Sequence, residues 1–177
     1  MNTLQTVGAI GVLLGACNWA SAAPILSISS QGATAAASAE QDFLDAAHSG
    51  YLTETFDDNS FYTVGSQAGT ITSSVGVGSF TSAVPGSGGL CDSGPYNCNG
   101  GLAVLNAGAS PFSGRYAVSG SNWLDSMDAR QMVISPAAGF NAMGFYMTDP
   151  NDAGGRLSIG GFDFSFNDIF GSALGNG

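Results

Sequence analysis

The sequence predicts a mainly β protein, an antiparallel β-sandwich of jelly-roll type with one short N-terminal helix. Short segments with alternating apolar and polar residues recur along the chain, and Gly, Pro, Asn, Asp and Ser clusters separate them. Residues 162–167 (FDFSFN) show the alternation best, because the phenylalanines fall on one face and the polar residues on the other. Helices do not alternate with these segments, so we expect antiparallel rather than parallel pairing.

The first element in chain order is an export signal over residues 1–23. Val7–Trp19 is apolar but too short to cross a bilayer, and Ala20, Ser21 and Ala22 are the small residues that signal peptidase requires. Cleavage near Ala22 leaves a mature chain without a transmembrane segment. We therefore expect the protein to be secreted or to lie at the cell surface.

A second processing route involves Cys17. Residues 14–17 (LGAC) resemble the lipobox of bacterial lipoproteins, in which the cysteine is lipidated and becomes the first mature residue. The other interpretation, that Cys17 is a small apolar residue of the leader, is favoured because an ordinary cleavage site follows it.

After the leader, we expect a linker over residues 24–36 and a single domain over residues 37–177. Residues 37–48 predict an amphipathic helix with Ser38 as its cap and Gly50 as its end. Period-two alternation then predicts strands over residues 51–56, 69–75, 77–83, 102–105, 115–119, 130–135, 140–148, 155–159 and 162–166.

The longest irregular segment is residues 85–101, which contains two cysteines. In an oxidising compartment Cys91 and Cys98 are expected to form a disulfide, which would stabilise the fold by about 2–3 kcal/mol. A metal site is the other interpretation, but His48 is the only histidine that could complete it. The loop is a candidate binding loop; an inert surface insertion explains it equally well.

The net charge excludes two classes of partner. The formal charge is −10, from thirteen acidic residues against three arginines and no lysine. Nucleic acids and anionic membrane surfaces bind clustered cations, which this chain lacks. Charged residues make up only 9% of the chain, so its polar surface consists mainly of Ser, Thr, Asn and Gly.

No motif in the sequence predicts an enzyme. His48 is the only histidine, and we expect it to accompany the end of the helix rather than to act as a catalytic base. The nucleophile elbow, the zinc-protease motif and the phosphate-binding loop are all missing from the sequence. A glycosidase needs two acids facing each other, and the sequence does not place Glu54, Asp57 or Asp125 in that way.

Calcium is the one cofactor that the acidic residues suit, since it binds six to eight oxygens from adaptable loops. Turn propensity explains the same aspartates without any metal, and the EF-hand order of ligands is absent. The candidate ligands are Asp57, Asp58, Asn59, Asp149, Asn151 and Asp152.

Aromatic residues among neutral polar residues suggest carbohydrate binding. The candidates are Tyr96, Tyr116 and Trp123, whose rings could stack on sugar rings if exposed. The other interpretation of Trp123 is that it packs in the core beside Leu124.

Four segments together resemble a known family. They are TETFDD (53–58), GTITSSVGVGSFT (69–81), GRYAVSGSNWL (114–124) and FNAMGFYMTDPNDAGGRLSI (140–159). They resemble the β-sandwich domain of secreted bacterial proteins of the exosortase-sorted, PEP-CTERM type. The resemblance covers about residues 38–166, and GFYMTDPNDAGG is its most specific part.

The resemblance implies a non-enzymatic structural or binding module of the cell surface or biofilm matrix, with extracellular polysaccharide or other surface proteins as its expected partners. Proteins of this type carry a Pro-Glu-Pro motif, an apolar helix and a basic tail, none of which is present here, so we expect a truncated domain. The alternative is a secreted carbohydrate-active or other hydrolytic enzyme whose remaining residues are missing.

The calcium hypothesis predicts a metal-dependent melting temperature. If the two acidic loops share an ion, millimolar calcium raises the melting temperature because only the folded chain assembles the ligands. Circular dichroism melts with calcium and with a chelator measure this, and magnesium serves as the control. Identical melts in all three conditions would remove calcium from consideration.

Overall fold

The fold consists mainly of antiparallel strands with one α-helix, as the sequence predicts. The structure is a computed structural model and describes residues 27, 29, 32–47, 50–87, 90–148, 156–159 and 162–165. Several residues discussed above lie outside the described ones: the whole export signal with Cys17, and also His48, Asp149, Asn151 and Asp152.

Helix α1 spans Ala33–Ala47 and begins four residues before the predicted start. Its first turn is alanine-rich, and alanine has the highest helix propensity, so the helix takes in residues 33–36 of the predicted linker. Ser38 therefore lies inside the helix, and its predicted capping role is wrong. No side chain of α1 is buried, but the Tyr146 hydroxyl donates to Glu40 Oε2 at 2.8 Å.

Eight strands occur among the described residues, in two three-stranded sheets and a hairpin. The first sheet has the order β1-β4-β5 and the second β2-β3-β6, whereas β7 and β8 pair only with each other. All five pairings are antiparallel. The strands are β1 (Gln67–Ala68), β2 (Thr70–Thr72), β3 (Gly78–Val84), β4 (Leu102–Asn106), β5 (Asn122–Asp125), β6 (Gln131–Pro136), β7 (Arg156–Ile159) and β8 (Phe162–Ser165).

Strand β4 is buried on both faces. Leu102 and Val104 belong to a cluster with Ile71 of β2, and Phe80 of β3 packs against the same cluster. These contacts join the first sheet to the second. A continuous apolar run is the sequence pattern of a strand that is covered on both sides, which explains why LAVL does not alternate.

The other face of β4 is covered by residues 90–101, which contain the two cysteines and are called the cysteine loop below. Ala103 and Leu105 share a second cluster with Cys91, Cys98 and Tyr96. The structure contains the predicted disulfide, whose Cα atoms lie 4.9 Å apart. The same cluster includes Phe112 and Met127, and the loop contributes two short 3-10 helices, Leu90–Asp92 and Cys98–Gly100. Three side chains of segment 90–101, those of Cys91, Tyr96 and Cys98, therefore belong to the core, whereas Asp92, Asn97 and Asn99 are exposed.

Three predicted strands, 51–56, 115–119 and 140–148, have no strand structure. Phe56 has a φ of 61°, in the left-handed region, which breaks the extended chain at the end of the first segment. In the second, Tyr116 and Val118 are exposed, and none of the described strands pairs with them. The third contains five exposed large apolar side chains and likewise has no partner among the described strands.

The buried face predicted for the last strand is only partly present. Phe162 in β8 is 49% exposed, whereas Phe164 is half-buried. The reason is that β7 and β8 form an isolated two-stranded ribbon in which Leu157 pairs with Phe164, and among the described strands no other sheet covers it.

The double burial of β4 predicts a large cost for shortening Leu105. Leu105→Ala is expected to lower the free energy of unfolding by about 2–5 kcal/mol, because it leaves a cavity between the sheet and the cysteine loop. Urea unfolding followed by circular dichroism measures the loss. Leu52→Ala is the matched control, since Leu52 is 50% exposed and its truncation should cost well under 1 kcal/mol. Equal losses in the two variants would contradict the two-sided core.

Candidate functional site

Glu54 anchors the segment that follows β2. Its Oε2 accepts hydrogen bonds from the Tyr62 hydroxyl at 2.7 Å, the Ser73 hydroxyl at 2.8 Å and the Ser74 amide at 2.7 Å. Its Oε1 accepts from the Phe56 amide at 2.8 Å. The carboxylate thus connects segment 51–56 to two other segments, and these hydrogen bonds replace those of the strand predicted there.

These hydrogen bonds shift the pKa values of both partners. Burial raises the pKa of Glu54, but the donors of Tyr62, Phe56, Ser73 and Ser74 together outweigh it, so the pKa lies below its ordinary value of 4.5. Burial and the Glu54 carboxylate raise the pKa of Tyr62 to about 12. At neutral pH Glu54 is therefore charged and Tyr62 neutral.

The proposed calcium ligands Asp57, Asp58 and Asn59 hold turns together. Asp57 Oδ1 accepts from the amides of Ser121 at 2.8 Å and Asn122 at 3.0 Å, and these bonds lower its pKa. The Asp58 carboxylate accepts the hydroxyl and the amide of Ser60 at 2.5 Å and 3.0 Å, and its pKa is lowered as well. Asn59 Oδ1 accepts from the Asn122 side chain at 3.3 Å.

Gly120 is required at the contact between Asp57 and the loop that precedes β5. It has a φ of +71°, and a Cβ at this position would overlap the Asp57 carboxylate. The other three proposed ligands, Asp149, Asn151 and Asp152, lie outside the described residues, so the geometry of a shared ion stays a prediction.

A second charged cluster surrounds Arg115. Its guanidinium binds Asp125 Oδ1 at 2.8 Å and Asp128 Oδ1 at 2.6 Å and lies 4.3 Å from the centre of the Phe112 ring. Burial alone would lower the pKa of Arg115, but the two carboxylates outweigh it and raise the pKa. Asp125 also accepts the Met127 amide at 2.8 Å, so the cluster stabilises the tight turn after β5.

The three aromatic residues predicted to bind sugars lie in different environments. Tyr96 is 5% exposed, packs near Phe112 and donates its hydroxyl to the Ala109 carbonyl at 2.9 Å, which makes it a core residue. Trp123 is half-buried against the same cluster, and its indole donates to Asp125 at 3.3 Å. Tyr116 is 53% exposed. The structure does not bring the three rings to one exposed face.

Asp92 lies beside the two cysteines and would be a third ligand if the pair bound a metal. Ligand atoms of Cys91, Asp92 and Cys98 lie within 4.8 Å of one another. The two sulfurs are bonded to each other, however, and Asp92 Oδ1 accepts the Cys98 amide at 2.9 Å. This arrangement favours the disulfide. Gln67 attaches the same loop to β1, since its amide exchanges hydrogen bonds with the backbone of Asn97 at 2.8 and 3.0 Å.

A groove lies beside β1 and β2. Its volume is about 200 Å³, and its deepest side chains are the buried Tyr62, Ile71 and Val104. Phe61 is 54% exposed and its ring meets Tyr62 edge-on, with 5.0 Å between ring centres. The remaining lining residues are Thr63, Ser66, Gln67, Ala68 and Thr72.

Sequence reasoning missed this groove. Its residues come from a turn, two short strands and β4, and only the sheet pairing brings them together. The one available signal was Phe61, a phenylalanine that follows the turn-forming sequence DDNS and is thus placed near the surface.

In comparisons with known proteins, no family model, curated protein or solved structure matches this chain. The resemblance to PEP-CTERM proteins therefore stays a prediction from the sequence. Within the described part of the chain, no helix is long and apolar enough to cross a membrane.

The anchoring role of Glu54 predicts a pH-dependent stability. A carboxylate whose pKa is depressed in the folded state stabilises the fold above its unfolded pKa of about 4.5, and this contribution is lost as the pH falls through the folded pKa. Glu54→Gln is therefore expected to lower the free energy of unfolding by about 1–3 kcal/mol at pH 7, and by less at pH 3.

Urea unfolding at several pH values measures this difference. Glu40→Gln is the matched control, because Glu40 is exposed on α1 and accepts a single described hydrogen bond. A Glu54→Gln loss that is the same at pH 3 and pH 7 would show that the charge of Glu54 does not stabilise the segment after β2.

Proposed function

We propose that this protein is a secreted, non-enzymatic module of the cell surface or extracellular matrix that binds matrix polysaccharide or other surface proteins. We further propose that its two three-stranded sheets are the layers of a β-sandwich with jelly-roll order. The apolar cluster shared by β2, β3, β4 and β5 supports this layering.

The observation that carries the functional proposal is that the acidic side chains hold loops in place through hydrogen bonds. Glu54, Asp57 and Asp125 each accept hydrogen bonds from the backbone, and these bonds hold loops and turns in place. Carboxylates that accept hydrogen bonds from amides, hydroxyls and a guanidinium in this way are suited to fixing loops. This supports a binding or structural role over glycoside hydrolysis, which needs two carboxyl groups facing a substrate.

The disulfide and the surface composition support the location. A disulfide within the core suits an oxidising compartment, where such bonds persist. The exposed surface combines hydroxyl groups with large apolar side chains, among them Phe61, Tyr116 and Phe145. Exposed apolar groups of this kind mark contact surfaces when they lie together.

Fractionation of a bacterial culture tests the proposal. The full chain is expressed with a C-terminal tag, and the cytosol, periplasm, cell surface, matrix and medium are assayed separately. We expect the processed chain, cleaved near Ala22, in the surface and matrix fractions. Mild periodate oxidation, which destroys sugar rings, should release it if polysaccharide holds it there.

Leader variants provide the controls. Replacing both Leu13 and Leu14 with Arg should keep the chain in the cytosol, because it interrupts the apolar stretch, whereas replacing both with Ile should not. Cys17→Ala should be processed normally unless lipidation is the route. An intact Met1 on a cytosolic chain would contradict secretion, free diffusion into the medium would contradict binding, and new reducing ends in the polysaccharide would support the enzyme alternative.

A further inference from the structure

The groove beside β1 and β2 combines three properties that together select a class of ligand. It has an exposed aromatic ring, apolar deep residues and a rim of neutral polar side chains. None of its lining side chains is charged at neutral pH. We propose that this groove is a subsite for a single ring of a neutral pyranose polymer, a proposal that rests on the extracellular binding role above.

The aromatic wall is held in place before any ligand arrives. The amides of Phe61 and Tyr62 both donate to the Asp58 carbonyl, at 3.0 and 2.8 Å. The Tyr62 hydroxyl is fixed by Glu54 at 2.7 Å and by the Ser74 amide at 2.7 Å. Phe61 packs edge-on against this fixed ring and keeps 54% of its surface exposed. Because the backbone at Phe61 and the ring on which it packs are already fixed, stacking on a sugar requires less ordering of the chain.

The rim of the groove offers three hydroxyl groups for a ligand. No hydrogen bond between described residues engages the side-chain hydroxyls of Thr63, Ser66 or Thr72. Each hydroxyl can both donate and accept, as the hydroxyls of a sugar require. Gln67 is different, because its amide is already bonded to the backbone of Asn97 and Gly101.

Size and charge narrow the ligand further. The groove has a volume of about 200 Å³, below the range of about 300–1,000 Å³ typical of sites for drug-sized ligands, so a single sugar ring suits it better than a larger group. The chain carries a formal charge of −10, and the groove contains no cation to offset it. Uronic acids and sulfated sugars are therefore disfavoured, and neutral hexoses are favoured.

Ligand-observed saturation-transfer NMR on the full chain tests the subsite. The probes are the methyl pyranosides of glucose, galactose and mannose, with methyl glucuronoside as the anionic comparison and a leucine-rich peptide as the apolar one. We expect saturation of at least one neutral pyranoside and much weaker saturation of the glucuronoside. Phe61→Ala should weaken binding about tenfold or more, as loss of a stacked ring does elsewhere.

Two further variants separate the groove from general surface effects. Phe162→Ala is the matched control, since Phe162 is 49% exposed on the β7–β8 hairpin, and it should bind like the parent chain. Thr72→Val keeps the shape and the strand propensity but removes a rim hydroxyl, and it should weaken binding several-fold. Circular dichroism melts establish that each variant is folded.

The outcomes distinguish the subsite from the broader proposal. Equal binding by the parent chain and Phe61→Ala, absence of saturation for every neutral pyranoside, preference for the glucuronoside, or binding of the peptide alone would each overturn the subsite. If the chain still accumulates in the matrix in those cases, the proposed function stands with another site. If the chain stays in the cytosol, the proposed function fails whatever the groove binds in vitro.

Discussion

The need to cover β4 on both sides determines the rest of the structure. One face of this strand is apolar through Leu102 and Val104 and packs against the second sheet, and the other, through Ala103 and Leu105, packs against the cysteine loop. A single sheet with one solvent-exposed face could not bury both faces of this strand, so the second sheet packs on one face and the cysteine loop on the other. The groove beside β1 and β2 forms because packing of the second sheet against β4 brings Ile71 close to Val104.

Carboxylates fix the loops that regular structure leaves undefined. Glu54 holds the segment after β2, Asp57 joins its turn to the residues that precede β5, and Asp125 organises the turn that follows β5. The contacts of Glu54 and Asp57 cross between segments that are distant in the chain, whereas the Asp125 contact with the Met127 amide closes a local turn. In a chain with only three cations, amides and hydroxyls serve as the main partners of these acids, and this explains why a strongly acidic composition is compatible with ordered loops.

The sequence predicted those parts of the fold that depend on local pattern. The helix, β3, β6 and the β7–β8 hairpin follow from periodicity, and β4 was predicted although its apolar run does not alternate. The disulfide follows from the expected oxidising compartment, since Cys91 and Cys98 are the only cysteines after the leader. Alternation failed over residues 51–56, where the left-handed backbone of Phe56 overrides it, and over 140–148, where no partner strand is described. Strand β5 was missed because NWLD is short and begins with a turn-forming residue. The groove could not be predicted, since its residues meet only through long-range pairing.

The position of the disulfide has a consequence for the secretion that is proposed above. Cys91 and Cys98 lie within the cluster that shields Ala103 and Leu105, so the reduced chain holds this shield less firmly. In a reducing cytosol the bond does not persist. If the protein is secreted as proposed, a newly made chain in the cytosol would lack the stabilisation that the disulfide gives the core, and it would unfold more easily for transport through a secretion channel. Formation of the disulfide after export would then stabilise the core and make the chain harder to unfold again.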